Sequence, residues 1–441
     1  MYKEQVDLTL VRCANILHAL RPLGLSVLAL TLVACASFAL DQADVRRNLS
    51  QGRLDLALQG LDKGQYGLRD QALYKLDKAM LLRAKGDYEA SNELFESAKQ
   101  AMEILNATSI SENVLSVTIN EGTRSYAGQP YEQLLLYAYK ALNYIALGDN
   151  NAARVEILQA DVKMREWSSA ADWEGIKASS FVRYLAGIIF ELSGEWDNAL
   201  IAYRKAYQVF QDAGAETPEY LQRDLLRLTA HQGLTDEHDK LLAGFTVKTW
   251  PEHKNLRDQS EIIFIYHQGL VSLMQEKAVH IFSPQLSHMI RIAVPDYSLQ
   301  KPYVNNALLW VAQSEARTEI VENIDALARE NLSARMPGIT ARTMARVVAK
   351  KVAASNAGEQ DAFAGLLLDI AGLVSERADT RSWSSLPATI QIARIVVPPG
   401  EHRLHATARR AGFIAGDLDL ERTINVAAGQ INIISIHDIA N

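Results

Sequence analysis

Cysteine is almost absent from this 441-residue chain, which contains only Cys13 and Cys35. Both lie near the start, so no disulfide framework can stabilise the rest of the chain. The hydrophobic content of 48% and the charged content of 22% are those of an ordinary globular protein. We therefore expect the chain to fold around hydrophobic cores, and its length allows two or three domains.

The sequence also lacks an excess of positive charge. Its 45 Lys and Arg residues are outnumbered by 52 Asp and Glu residues, which gives a formal net charge of −7. Binding nucleic acid requires a clustered positive field that neutralises phosphates. The charge balance therefore argues against nucleic acid as a main partner.

Recognisable catalytic motifs are missing as well. The sequence contains no zinc-helix signature, no nucleophile elbow and no phosphate-cradling glycine loop. His402 and His405 are three residues apart on a predicted strand, which places them on opposite faces and not around one metal ion. We therefore predict no catalytic set, no metal site and no cofactor.

An apolar run over residues 23–34 follows Arg21 and ends at Cys35. The run is too short to cross a bilayer but suits the core of a signal peptide. Leu32-Val33-Ala34-Cys35 resembles the bacterial lipobox, which implies that residues 1–34 are removed and that Cys35 is lipidated. Residue 36 is Ala rather than Asp, which in such lipoproteins implies export to the outer membrane. The alternative is a buried helix with an incidental cysteine.

A pattern typical of the tetratricopeptide repeat (TPR) recurs between residues 35 and 243. Each copy has a glycine in the turn between two helices, followed by small residues where the helices approach each other. The turn glycines are Gly52, Gly86, Gly148 and Gly194. Gly52 and Gly86 are 34 residues apart, the natural period of this repeat. The pattern predicts a mainly α-helical superhelix of degenerate TPR repeats, and Gly233 could end a fifth helix.

The clearest copy surrounds Gly194. Trp196 follows the turn, and Ala199 and Ala206 are the small residues that let the two helices pack closely. Tyr203 lies between the two alanines. Tyr184, Gly187 and Phe190 fall on the preceding helix, where the partner face is expected.

Between the second and third repeats lies an inserted segment, residues 114–132, with turn residues and no helical period. Loops held on a rigid scaffold often bind partners, which makes Arg124, Tyr126, Tyr131 and Glu132 candidates for partner binding. The alternative is that the loop packs back over the superhelix, with Tyr131 as a hydrophobic staple for the next helix.

Residues 244–441 are predicted to form a smaller mixed α+β domain with an antiparallel β C-terminal tail. Strands are expected at about 261–296 and 388–438, and helices at about 305–377. Hairpins turning at Pro398-Pro399-Gly400 and Ala428-Gly429 would belong to a small sandwich or half-barrel. Two separate β modules are the alternative to one mixed domain.

Three helices are predicted within that region. The first covers residues 318–331, and Pro337-Gly338 is expected to separate it from the second. The second would carry Arg342, Arg346 and Lys350 as one basic stripe, which either is solvated or meets membrane phosphates or an acidic partner. The third, residues 363–374, is nearly all apolar but too short to span a bilayer, so we expect it to be buried.

A polar segment with a tryptophan precedes the β tail. Asp379, Arg381 and Trp383 suit recognition of a sugar or a peptide, because an Arg/Asp pair beside an indole offers both hydrogen bonds and a flat apolar face. The alternative is a junction between domains, tied by the ion pair and plugged by the indole.

Taken together, these features resemble a family of uncharacterised bacterial TPR outer-membrane lipoproteins. The resemblance rests on the lipobox, the repeats, Gly128-Gln-Pro-Tyr-Glu132, Ala378-Asp-Thr-Arg-Ser-Trp383, Leu386-Pro387 and Pro399-Gly400. It spans nearly the whole chain and brings no assigned activity. It implies a periplasmic scaffold, anchored to the membrane by lipid, that binds another envelope protein.

Some activators of peptidoglycan synthases are similar in joining a lipid anchor to helical repeats, which makes a peptidoglycan-associated partner one version of this hypothesis. The competing hypothesis is a glycan-binding or enzymatic module in the C-terminal domain.

The lipobox generates a direct prediction. Mass spectrometry of the mature N-terminus should find a diacylglyceryl-modified Cys35, because the thiol of a lipobox becomes a thioether before cleavage. An intact leader, or an unmodified terminus elsewhere, would contradict the assignment.

Overall fold

The computed structural model describes residues 43–64, 66–111, 124–168, 179–284, 287–297, 306–358, 377–408 and 418–438. The leader, Cys35 and the predicted helix 363–374 lie outside this part of the chain. Its N-terminal portion consists of helix pairs. They are α1 (43–50) with α2 (Leu54–Lys63), α3 (Gln71–Lys85) with α4 (Tyr88–Ser111), α5 (Pro130–Ala146) with α6 (Asn150–Ser168), α7 (Ser180–Leu192) with α8 (Trp196–Asp212), and α9 (Glu219–His231) with α10 (Thr235–Gly244).

The turns inside these pairs confirm the repeat pattern. The predicted turn glycines, Gly52, Gly86, Gly148 and Gly194, all have positive φ, as does Gly233 in the fifth pair. Their φ values lie between 68° and 86°, a left-handed conformation that glycine adopts without steric cost. The N-terminal region is therefore TPR-like.

Close packing between α7 and α8 depends on Gly187. A Cβ atom at that position would lie 2.2 Å from Cε1 of Tyr203, so any side chain would displace the ring. The ring of Tyr203 also packs at a tilt against Tyr184 of α7, with centroids 5.1 Å apart, and Ala199 and Ala206 of α8 are fully buried. The predicted roles of these residues in the repeat are confirmed.

Two four-stranded sheets and a separate hairpin follow the helices. The strands are β1 (Ser260–Gln268), β2 (Met274–Ser283), β3 (His288–Tyr297), β4 (Leu308–Val311), β5 (Ser314–Arg317), β6 (Glu319–Asn323), β7 (Thr389–Val397), β8 (Gly400–Ala408), β9 (Leu418–Val426) and β10 (Ile431–Asp438). The inner sheet has the order β10-β1-β7-β6, and the outer sheet has the order β5-β4-β8-β9. Strands β2 and β3 form the hairpin.

The inner sheet is covered on both faces. Ile263 and Ile265 of β1 belong to the same core as the helices, whereas Ile262 and Phe264 pack against the outer sheet. Every residue of β1 is buried, which explains its nearly continuous apolar run. The architecture is thus three layers, in the order helices, inner sheet and outer sheet.

Three strands occupy a region predicted to be helical. β4, β5 and β6 fill most of residues 308–323, and α11 (Ile324–Gly358) begins only after them. β4 pairs with β8, and β6 pairs with β7, both of which lie some seventy or more residues further along the chain. This pairing between distant segments overrides the local helical pattern.

The predicted break at Pro337 is also wrong. Helix α11 continues through Pro337, although proline removes one backbone hydrogen bond there. Packing holds both halves, since Leu332 and Ile339 are buried in the main core and Met344 contacts the hairpin. Arg346 is buried and donates to the Thr343 hydroxyl at 3.1 Å, so it does not belong to a solvated basic stripe.

The last strand departs from the predicted hairpin. β9 lies in the outer sheet, but β10 crosses to the inner sheet and pairs with β1 in parallel. Its side chains explain this position. Ile431 and Ile433 pack against the helical core while Ile434 and Ile436 pack against the outer sheet, so the strand needs a layer on each side.

None of the described helices combines the length and the hydrophobicity needed to span a bilayer.

Ala199 offers a test of the helical packing. Ala199→Asp should lower the free energy of unfolding by on the order of 2 to 4 kcal/mol, because it buries an unpaired carboxylate between two helices. Thermal unfolding should shift down by several degrees. The matched control is Ile201→Asp, two residues further on the same helix at a side chain that is 46% exposed. Equal melting curves for the two variants would contradict this packing.

Candidate functional site

Glu132 lies at the centre of the region to which the sequence assigned binding residues. It is the third residue of α5, where Pro130 begins the helix. Its Oε2 accepts a hydrogen bond from the backbone N–H of Gln129 at 2.6 Å, which caps the helix start. A glutamate at this helix position is thus explained locally, but its burial is not.

The same carboxylate joins two distant segments. Its Oε1 accepts the backbone N–H of Trp383 at 2.7 Å, and the hydroxyls of Tyr126 and Tyr131 also donate to the carboxylate. Burial raises the pKa of Glu132, although these hydrogen bonds oppose the shift. Glu132 therefore ties the inserted loop, α5 and the segment before β7 to one point.

Arg381 makes a second connection beside it. Its Nε and Nη2 donate to the two oxygens of Asp379 at 2.9 and 2.7 Å, a two-point pair that fixes the guanidinium plane. Nη1 donates to Asp70 at 2.9 Å, which links the segment to the turn before α3. The guanidinium also lies over the ring of Tyr126, 5.6 Å from its centroid.

Trp383 fills the space between these groups. The indole is fully buried and meets Phe95 and Tyr139 edge to face, with ring centroids 5.7 and 6.0 Å away. Its Nε1 donates to the Ser385 hydroxyl at 3.0 Å.

Ser385 connects onward to Asp77 of α3. Its backbone N–H and hydroxyl donate to Asp77 Oδ1 at 3.0 and 2.7 Å. Burial raises the pKa of Asp77 to about 6 in spite of these bonds.

The two predicted sites are thus one place in the structure, which we call the Glu132 junction: Asp70, Asp77, Tyr126, Tyr131, Glu132, Asp379, Arg381 and Trp383. Tyr126, Tyr131, Glu132 and Trp383 are buried, and an external molecule could contact them only if the junction opened. Arg124 is exposed. Partner binding by the loop and glycan binding by the second segment stay predictions, and the contacts seen here are those of a tie between helices and sheet.

Sequence reasoning missed Asp70 and Asp77, as well as a second buried network. Arg394 of β7 donates to Asp224 at 3.0 Å, to Glu191 at 3.2 Å and to Glu261 at 2.9 Å. Arg227 of α9 shares Glu191 at 2.7 Å. The available signal was a charged residue on the apolar face of a helix, since Glu191, Asp224 and Arg227 interrupt otherwise apolar positions.

Two guanidiniums face three carboxylates inside this network. Burial alone would raise the pKa of Glu191, but the guanidiniums of Arg227 and Arg394 lower it to about 2. The hydroxyls of Tyr203 and Tyr184 donate to Glu191 and Asp224, both at 2.5 Å. The network joins α7 and α9 to the inner sheet, in the same way as the Glu132 junction joins α3 and α5 to it.

One contact between a histidine and a serine is relevant to the enzymatic hypothesis. His267 Nε2 lies 2.9 Å from the Ser435 hydroxyl, and its Nδ1 lies 3.3 Å from the hydroxyl of Tyr139. Arg83 also donates to the Ser435 oxygen at 2.7 Å. The serine therefore serves a polar network around a buried arginine, between helices and inner sheet. Among the described residues, no group of three His, Cys, Asp or Glu is placed to hold a metal ion.

No protein-family model matches the chain, and no relative is found among curated proteins. Solved structures resemble about half of it. MamA (residues 41 to the end) from Desulfovibrio magneticus RS-1 is 13% identical with a TM-score of 0.30, over 48% of this chain and 92% of that one.

The apo form of RapI is 12% identical with a TM-score of 0.33, over 48% of this chain and 68% of that one. A Rap protein complexed with competence and sporulation factor is 11% identical with a TM-score of 0.28, over 45% and 50%. MamA and RapI are TPR proteins. Because these TM-scores are low, we infer neither the fold nor a function of this chain from these structures.

The raised pKa of Asp77 predicts a pH-dependent stability. The folded chain holds the proton more tightly than the unfolded chain, whose aspartate titrates near 3.8. The contribution is therefore fully present below pH 3.8 and is lost as the pH rises through about 6. A difference of about two pH units corresponds to about 3 kcal/mol.

Asp77→Asn should reduce the slope of the stability curve between pH 4 and pH 8, as measured by urea unfolding at several pH values, while the contribution of Glu322, whose pKa burial raises to about 7, stays. The control is Asp62→Asn, at a carboxylate that is half exposed and whose pKa is lowered. An unchanged slope for Asp77→Asn would show that this carboxylate is not the source.

Proposed function

We propose that this protein is a non-catalytic scaffold that holds another protein of the cell envelope, while lipid at Cys35 anchors it to the periplasmic face of the outer membrane. The observation that carries the proposal is an apolar stripe on the outside of the helical stack, combined with an inside that is already filled. The lipobox and the resemblance to TPR lipoproteins support the location.

The inside of the stack is taken up by the chain itself. Helices α5, α7 and α9 are almost completely buried, because the second helices of the pairs cover one side and the inner sheet covers the other. Both ties described above fix the sheet against these helices. A partner lying in the inner groove of the repeats would have to displace the sheet.

On the outside of the stack, α6 carries a row of three exposed apolar side chains. Val155, Leu158 and Val162 of α6 are 49%, 38% and 45% exposed. Their spacing of three and four residues puts them on one helix face. Single exposed apolar residues are normal on a protein surface, whereas neighbouring ones on one face offer a continuous apolar strip to a partner. We assign this row, the α6 stripe, to the protein partner.

Because of the lipid anchor, a weak contact between the scaffold and its partner is enough for binding. It confines scaffold and partner to a thin layer beneath the membrane, and the high effective concentration there raises occupancy without further contacts. A peptidoglycan-associated protein is one partner of this kind.

The glycan-binding alternative has less support. The donors of Arg381 are bonded to Asp379 and Asp70, and both N–H groups of Trp383 are bonded within the chain. A sugar at this place would meet a guanidinium whose donors are already bonded and an indole that is buried.

The α6 stripe is the point at which to test the scaffold. Val155→Ser/Leu158→Ser/Val162→Ser in the full-length anchored protein should abolish complementation of a deletion strain while leaving the melting temperature within about two degrees of the wild type, because surface substitutions rarely change stability. The control is Leu68→Ser, at a side chain that is 92% exposed and lies outside the stripe. Full complementation by the triple variant would overturn the docking assignment.

The anchor is tested separately. Cys35→Ser should block lipidation and fail to complement, although the binding surface of the chain is unchanged. Full complementation by Cys35→Ser would remove the anchor from the proposal.

A further inference from the structure

The β2–β3 hairpin is separate from both sheets and carries two exposed apolar residues near its turn. Phe282 and Met289 lie directly opposite each other on the two strands. They are 55% and 56% exposed, although Phe and Met are among the residues that proteins bury most often. Side chains in such a cross-strand pair are in contact range. The pair, which we call the hairpin tip, is therefore one small apolar surface.

The core of the hairpin does not use these two residues. Its buried face is made by Val279, Ile281, Ile290, Ile292 and Val294, which pack against Met336, Met344 and Val347 of α11. Successive side chains of a strand point to opposite faces, so Phe282 and Met289 face away from α11. Their exposure therefore follows from the register of the hairpin, and the hairpin core does not explain their apolar character.

The charges behind the tip all have one sign. The end of the hairpin (residues 279–291) and the adjoining part of α11 (residues 331–358) contain no Asp or Glu, whereas the whole chain has a formal net charge of −7. Together these ranges, which we call the arm, contain six Lys and Arg residues: Arg291, Arg335, Arg342, Arg346, Lys350 and Lys351. Arg291 and Arg342 are exposed. The carboxylates of the hairpin, Glu276 and Asp296, lie at its other end. The arm therefore favours an anionic surface.

The hairpin is long enough to reach the membrane to which the chain is predicted to be anchored. Eight residue steps separate Met274, in the main core, from Phe282, which is about 26 Å at 3.3 Å per residue. Residues 35–43, which join the predicted lipid to α1, also have eight steps and span at most about 28 Å. Arg46 of α1 donates to the carbonyl of Val271, so α1 lies beside the base of the hairpin. The lipid and the hairpin tip can therefore reach the same bilayer.

The size of the tip favours lipid over a protein partner. A stable protein interface buries about 800 Å² on each partner, far more than two side chains provide. A bilayer surface sets no such minimum when an anchor already holds the protein there, because the second contact is then intramolecular.

We propose that the hairpin tip inserts into the surface of an anionic phospholipid bilayer. Phe282 and Met289 enter the boundary between headgroups and acyl chains, and the cations of the arm lie near the lipid phosphates. With the lipid anchor as the other contact, the tip fixes how the scaffold is oriented on the membrane. The inference rests on the proposed function in one respect, that the protein lies at a membrane, and it involves neither the α6 stripe nor a protein partner.

The test uses residues 36–441, which include every described element, attached by an N-terminal hexahistidine tag to vesicles that contain a nickel-chelating lipid. The tag replaces the lipid, so the outcome does not depend on lipidation of Cys35. This range contains no cysteine, so Met289→Cys introduces a single thiol for the polarity-sensitive dye NBD. The matched control is Leu68→Cys, at a residue that is 92% exposed and lies outside the arm.

Vesicles of phosphatidylethanolamine and phosphatidylglycerol should shift the emission of the label at position 289 to the blue, and lipids with a doxyl group on the acyl chain should quench it. The label of Leu68→Cys should show neither effect. Adding Phe282→Ser to Met289→Cys should weaken both signals. On phosphatidylcholine vesicles the ratio of inserted to free label should be lower by roughly 5-fold or more, since one cation near an anionic surface contributes about 1 kcal/mol.

Three results would overturn the membrane contact. They are a label at position 289 that behaves like the Leu68→Cys control, equal insertion into both kinds of vesicle, and a blue shift that needs no vesicles and grows with protein concentration. The last result would mean that a second copy of the chain covers the tip. The α6 triple variant separates this inference from the proposed function, because its label should insert as in the unsubstituted stripe even where complementation is lost.

Discussion

The structure depends on the need to cover the first helices of the central repeats on two sides. Helices α5 and α7 are buried almost all round, and their partner helices α6 and α8 can cover only one flank. A helix that is hydrophobic all round is stable only in an interior. The inner sheet supplies the second cover, and because its own second face is also apolar, it requires the outer sheet. Each layer therefore makes the next one necessary.

Buried charges hold the layers in register. Glu132 and Arg394 each join helices to segments that are far away in sequence, and both are surrounded by complementary groups. Such networks add little net stability over apolar residues, but removing one partner leaves an uncompensated charge that costs about 3 to 5 kcal/mol. They therefore set the position of the sheet on the helices more than they increase stability. This is also why polar residues that resemble a binding site lie in the interior here.

Local features decided how much of the fold could be predicted. The turn glycines, the small residues of α8 and the strand β1 arise from short-range patterns, and the structure confirms them. The strands β4 to β6 and the parallel position of β10 depend on partner strands elsewhere in the chain. A local hydrophobic pattern does not indicate which distant strand a segment pairs with. Part of the Glu132 junction could be predicted. The sequence singled out both Tyr126 and Arg381, but not the contact between them, which joins positions more than 250 residues apart. Asp77 and Arg394 could be suspected only as charges at core-facing positions.

Hydrogen exchange on the full-length protein tests most directly whether the inner face of the repeats is closed by the sheet. If it is, amides of α5 and α7 should exchange as slowly as those of β1, in the same global unfolding event, while parts of α6 and α8 exchange earlier through local opening. Exchange of α5 and α7 at the rate of α6, well ahead of β1, would contradict the closed arrangement. It would show that the sheet leaves the helices and that the inner groove is open to a partner.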